Sequence, residues 1–113
     1  MDRDLVYLLD ILGSAHAIRA YIKGVSRHEF LANPQLQDSI IRRIEIMGEA
    51  TGRLSAAFCE RHPEIPWARI RGMRNRMIHG YEDIDMEIVW DTVERHIPYL
   101  IPQLDRLVPP EAE

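Results

Sequence analysis

The stretch Asn33–His62, NPQLQDSIIRRIEIMGEATGRLSAAFCERH, decides the fold. Its apolar residues Leu36, Ile40, Ile44, Met47, Leu54 and Phe58 return at helical steps, with no strand-like alternation between them. Asn33 suits the N-cap, Pro34 the first helical position, and Pro63 closes the run. The pattern predicts one helix of about 28 residues, a rod of roughly 42 Å whose apolar face no single partner helix can cover. Gly48 and Gly52 lie one turn apart in it. Each weakens a helix by about 1 kcal/mol relative to alanine, so both predict a packing reason such as close helix approach.

Outward from this rod the same periodicity continues. Leu5, Leu8, Leu9, Leu12, Ala15, Ile18 and Ile22 define a first helix over Asp4–Lys23, stopped by Gly24. Ser26 and Glu29 have capping-box spacing ahead of Phe30 and Leu31, enough for an extra short helix. On the C-terminal side, Ile65-Pro66-Trp67 opens a third helix with the stripe Ile70, Met73 and Met77, expected to end at Gly80. Asp83 or Asp85 caps a last segment carrying Met86, Val89, Trp90, Val93 and Ile97, which Pro98 should kink or end. Pro102 and Pro109-Pro110 make the tail irregular from about residue 108. The expectation is a single all-α domain over residues 1–113, an antiparallel four-helix bundle.

Charge and composition narrow the function. With 14 Lys plus Arg against 18 Asp plus Glu the net charge is −4, which excludes a histone-like basic coat and confines any nucleic-acid contact to a local patch. The lone Cys59 makes neither an internal disulfide nor a Cys-rich zinc site, and reads as a small buried apolar residue. No basic leader precedes the first apolar residues and no apolar run approaches the roughly 18 residues of a membrane span, so a cytoplasmic protein without a membrane partner is expected. His16, His28, His62 and His96 share no metal-ligand spacing and read as surface or helix-end residues; neither a metal nor another cofactor is expected. Trp67 and Trp90 read as core or interface anchors.

The local basic patch exists. Arg69, Arg71, Arg74 and Arg76 fall within eight positions, each a planar, permanently charged fork that matches phosphate oxygens, and His79 follows. An imidazole can move the proton of an RNA 2′-hydroxyl while guanidinium steadies charge growing on phosphate oxygens. On an ideal helix Arg74 and His79 lie about 140° apart, whereas Asn75 and His79, at i and i+4, share a face on which Asn75 could orient the ring. Arg76 is a further phosphate-binding candidate. A second copy of the chain would bring Arg74 and His79 together and cover the open face of the rod. A solvated arginine face, paired with Glu64, Glu82 or Asp83, is the alternative that spacing leaves open. Glu45 and Glu49, with Arg42, Arg43 and Arg53 nearby, read as ion-pair partners; Glu49 could orient an arginine of the patch.

Arg74-Asn75-Arg76-Met77-Ile78-His79-Gly80-Tyr81 fits the R-x-x-x-x-H-x-Y signature and resembles the HepT-like branch of HEPN-domain toxins. The likeness extends to Ile44–Ala50, His62–Trp67, Ile84-Asp85, Val89-Trp90 and Ile97–Leu100, in order. The resemblance implies an all-α HEPN bundle, active as a homodimer open to further assembly, that cuts RNA without a metal. It implies Arg74 and His79 as the catalytic pair, Asn75 as the polar residue after the arginine and Tyr81 as the tyrosine of the signature; from the patch itself Arg76 and Glu49 are the supporting candidates and Arg69 and Arg71 the RNA-binding ones. It also implies a minimal nucleotidyltransferase antitoxin as partner, able to transfer AMP to Tyr81. The rival expectation is a non-catalytic module of the same fold that docks such a partner or binds nucleotides.

Overall fold

The computed structural model describes residues 2–80 and 83–110, with the backbone alone at residue 79. It is an all-α bundle, as expected. Helix α1 (Arg3–Ile22) lies against α3 (Pro34–Arg53) and α8 (Ile97–Asp105). Between α1 and α3 sits α2 (Arg27–Leu31), whose capping box is complete: Ser26 Oγ accepts from the Glu29 amide and Glu29 Oε1 from the Ser26 amide. Gln37 on α3 donates to the carbonyls of Phe30 and Leu31, tying the end of α2 to the core. The interior is filled by Leu8, Ile11, Ile18, Phe30, Ile40, Ile44, Met47, Ile70, Met77, Ile97 and Leu104, all under 2% exposed. By length and mean hydropathy (1.3) α1 could cross a membrane, against the reading that no run approaches that limit. Its Leu8, Ile11, Leu12, Ala15 and Ile18 are instead buried in the bundle.

The predicted rod is not continuous. It breaks at Leu54, and α4 (Ala56–Arg61) starts afresh with Ser55 as N-cap, its Oγ accepting from the Phe58 amide. The cause is a residue 51 positions away. Asp4 Oδ1 accepts from the Ser55 amide at 2.8 Å and Oδ2 from its hydroxyl at 2.7 Å, which holds the corner open. The Ser55 amide first, then its hydroxyl, hold the Asp4 carboxyl below its ordinary value. A carboxylate with a lowered folded-state pKa stabilises above the unfolded pKa and loses that contribution as pH falls through the folded value. Asp4→Ala should therefore cost about 1 kcal/mol near neutrality. The difference in melting temperature from the parent should shrink below about pH 4.

The third segment is also divided, into α5 (Trp67–Arg71) and α6 (Met73–Arg76), with Gly72 between them. Trp67 anchors it, buried beside Phe58, with its Nε1 donating to the His62 carbonyl. The last segment runs from α7 (Met86–Asp91), capped by Asp85, through a π-helical turn at Thr92–His96 into α8. Pro98 therefore neither ends nor isolates the helix. It has no amide to donate, and the wider turn before it, closed by the Ile97 amide on the Thr92 carbonyl, absorbs the mismatch. Pro102 lies inside α8, which extends to Asp105. Cys59 is half-buried against the core rather than fully enclosed.

Candidate active site

Arg74 sits on α6 facing α3. Its Nε donates to Glu45 Oε2 at 2.9 Å, and the Glu45 side chain is 29% exposed against 44% for Arg74. Arg42 lies 3.8 Å from Glu45 and 3.7 Å from Glu49, so the acidic pair of α3 is shared between two arginines. Among the described residues neither terminal nitrogen of Arg74 has a hydrogen-bond partner. Glu45 thus fixes the direction of the guanidinium through Nε and leaves the fork that would grip two phosphate oxygens. A cavity of about 420 Å³ opens here, lined by Glu45, Gly48, Glu49, Arg71, Arg74 and Asn75. Glu49 borders this cavity, but its ion pair is with Arg42; the carboxylate on Arg74 is Glu45.

The close approach of the two elements depends on one expected glycine. A Cβ at Gly48 would lie 3.2 Å from the Arg71 carbonyl oxygen and 3.7 Å from that of Ile70. Gly52 has open space at the corresponding position, so only the first of the pair carries the packing reason. Gly48→Leu should push α5 off α3, lowering stability by about 1–3 kcal/mol and separating Glu45 from Arg74. Thermal unfolding and loss of activity together would report it.

The motif helix stops four residues before Gly80. Helix α6 ends at Arg76, and Ile78–His79 forms a short strand β1 paired antiparallel with β2 (Asp83–Ile84). His79 stands opposite Asp83, Gly80 turns the chain at φ +66°, and the Asp85 amide donates to the Met77 carbonyl at 2.7 Å. The helical i,i+4 relation between Asn75 and His79 is therefore absent, and the 140° separation computed for a continuous helix does not apply. The hairpin pairing with Asp83 and Ile84, four to six positions on, replaces the helical pattern. The His79 side chain, Tyr81 and Glu82 lie outside the described residues.

The four arginines do not share one face. Arg71 and Arg74 line the α3 cavity together with Asn75. Arg69 and Arg76, seven positions apart, turn to the opposite flank, where the Arg76 guanidinium donates to the Arg69 carbonyl. There Arg69 Nη2 lies 3.0 Å from both ring nitrogens of His96. Burial first, then the Arg69 charge, push the His96 imidazole below its ordinary pKa, with Asp91 opposing. His96 is thus part of a packed polar cluster and not a plain surface residue. Sequence reasoning missed both this cluster and the Glu45–Arg74 pair. A signal for the latter was available in Glu45 lying one helical turn before Gly48 and Glu49, beside the close-approach glycine. Among the described residues no group of three or more His, Cys, Asp or Glu is arranged to hold a metal ion.

With this geometry in place, similarity to known proteins is informative. Residues 11–107 match the family described as Ribonuclease HepT-like. A “Putative RNase” of Caldanaerobacter subterraneus subsp. tengcongensis is 35% identical over 105 residues, 93% of this chain and 94% of its own length. The “Probable ribonuclease HepT” of Thermococcus cleftensis is 35% identical over 101 residues, 89% of this chain and 92% of its own. A “Putative RNase” of Methanocaldococcus jannaschii is 36% identical over 92 residues, 81% and 84% of the two chains. No solved structure gives a significant match.

Proposed function

Because the chain belongs to the HepT-like ribonuclease family, we propose that it is the toxin of a toxin–antitoxin pair and cuts RNA with Arg74 and His79. The observation that carries this reading is the guanidinium of Arg74, held by Glu45 through Nε with its terminal nitrogens unpaired among the described residues. In the proposed reaction the 2′-oxygen attacks the adjacent phosphorus and the P–O5′ bond breaks, leaving a 2′,3′-cyclic phosphate and a 5′-hydroxyl. His79 takes the 2′-hydroxyl proton, and a proton returns to the leaving 5′-oxygen. Arg74 holds the non-bridging oxygens as their charge grows, with Arg71 beside it. No step calls for a metal.

The working unit in this proposal is a homodimer. Arg74 sits in a cavity open to solvent, and a facing copy would supply the second wall and a second motif. Regulation is proposed to come from a minimal nucleotidyltransferase antitoxin that transfers AMP to Tyr81. An added anion five positions after Arg76 would compete with RNA phosphate for the arginines. The setting is the cytoplasm, where the RNA is. Incubating the full chain with end-labelled RNA and a chelator tests the reading: fragments ending in cyclic phosphate are expected. RNA left intact, with binding retained, would leave the non-catalytic docking module as the answer.

A further inference from the structure

Arg42, Glu45 and Glu49 stand at i, i+3 and i+7 on α3, one row running along the wall of the Arg74 cavity. The Glu45 carboxylate faces two guanidinium groups at once. Its Oε2 accepts from Arg74 Nε at 2.9 Å, while its Oε1 lies 3.8 Å from Arg42 Nη1. The same Arg42 nitrogen is 3.7 Å from Glu49 Oε1. Both separations belong to ion pairs and exceed hydrogen-bond range. Among the described residues the Arg42 guanidinium therefore makes no hydrogen bond, and its side chain is 61% exposed. The adjacent Arg43 is differently placed. It donates to the Tyr21 hydroxyl at 3.3 Å and lies over that ring, on the side of α1. Only Arg42 of the two looks along the wall toward the site.

The wall needs that charge. An anionic strand entering the cavity meets the carboxylates of Glu45 and Glu49, which Arg71 and Arg74 no more than balance. Arg42 at the edge makes three cations against two anions and turns the local field attractive for phosphate. Its bonds to the two glutamates do not oppose this, because exposed ion pairs without hydrogen-bond geometry are weak and readily exchanged.

We infer that Arg42 holds the phosphate next to the scissile one, in a second anion subsite that Glu49 occupies electrostatically until RNA arrives. The inference rests on the ribonuclease reading and extends its site along α3. Glu45 stands between the two guanidinium groups, and its negative charge keeps a single phosphate from bridging them. Arg74 thus takes the reacting phosphate and Arg42 a neighbour on the same strand. The planar fork of Arg42, with every donor uncommitted among the described residues, suits the pair of non-bridging oxygens there.

Binding of a fluorescent RNA oligonucleotide across a range of salt, in the His79→Ala chain so that the strand stays intact, tests the subsite. Adding Arg42→Ala should reduce the salt slope by about 0.7, one phosphate contact of a single strand. Between about 50 and 200 mM salt the affinity of the Arg42→Ala chain should then fall about threefold less than that of the chain retaining Arg42. Arg42→Lys should preserve the slope. Glu49→Gln releases Arg42 and should tighten RNA binding, and most of that gain should vanish when Arg42→Ala is added. In the cleaving protein Arg42→Ala should raise KM by a larger factor than it lowers kcat. An unchanged salt slope, or an equal gain from Glu49→Gln with and without Arg42, would overturn the inference. So would a fall in kcat at constant KM, which would put Arg42 on the reacting phosphate. A lower melting temperature with the slope unmoved would reduce Arg42 to a structural ion pair. The two readings fail separately. A reduced slope in a chain that cuts no RNA would refute the ribonuclease and keep the subsite, whereas cleavage with an unchanged slope would do the reverse.

Discussion

His79→Ala should leave a folded protein whose RNA cleavage is roughly 10²–10⁴-fold slower, the usual contribution of a positioned proton-transfer group. The size follows from the absence of an alternative. Among the described residues no histidine lines the Arg74 cavity, which is bounded by Ile44, Glu45, Gly48, Glu49, Arg71, Arg74 and Asn75. The glutamates there are engaged with Arg42 and Arg74. His79 also lies in a two-residue strand whose backbone pairs with Asp83, so an alanine at this position keeps every ladder hydrogen bond. Unfolding should therefore be nearly unchanged. The measurement is single-turnover cleavage of a labelled RNA beside a thermal melt. Cleavage at the parental rate would remove His79 from the mechanism.

Arg74→Ala should be nearly as damaging, by about 10²–10³-fold in rate, because the charge it meets is largest in the transition state. It should also reduce the dependence of RNA affinity on salt by about one counterion, since one phosphate contact is lost. Glu45 separates positioning from charge. Glu45→Gln keeps an acceptor for Nε but removes a negative charge close to the path of the phosphate. RNA should then bind more tightly while turnover falls, a lower KM with a lower kcat. Both constants falling together with stability would instead mark Glu45 as merely structural. Arg74→Lys should not rescue, because an ammonium has no fork to divide between Glu45 and a phosphate.

Much of the architecture could be read from local patterns. The caps Asn33, Ser26 with Glu29, and Asp85 all act where their spacing placed them. The stripe Ile40, Ile44, Met47 and the pair Ile70, Met73 are buried as their periodicity required. The site was legible as a list of residue types but not as an arrangement. Arg69 and Arg76 read as members of the same patch as Arg74, yet they line the opposite flank. Glu49 read as the acid beside the motif, and Glu45 holds that place. Neither placement is visible within one turn of helix.

What the sequence by itself determined was the all-α class, the caps at Ser26, Asn33 and Asp85 and the buried stripes of the helices, together with the residue types of the R-x-x-x-x-H-x-Y motif. These depend on neighbours within about four positions, where spacing and side-chain chemistry act directly. Only the tertiary structure decided that α3 breaks at Ser55, that the motif helix gives way to a strand at Ile78, and that Glu45 takes Arg74. Two of those outcomes rest on a partner distant in the chain, Asp4 for Ser55 at 51 positions and Glu45 for Arg74 at 29; the third is a tight hairpin, pairing residues only four and six positions apart. The two distant contacts form when the packed core brings the groups within hydrogen-bonding distance, and no local preference encodes that distance.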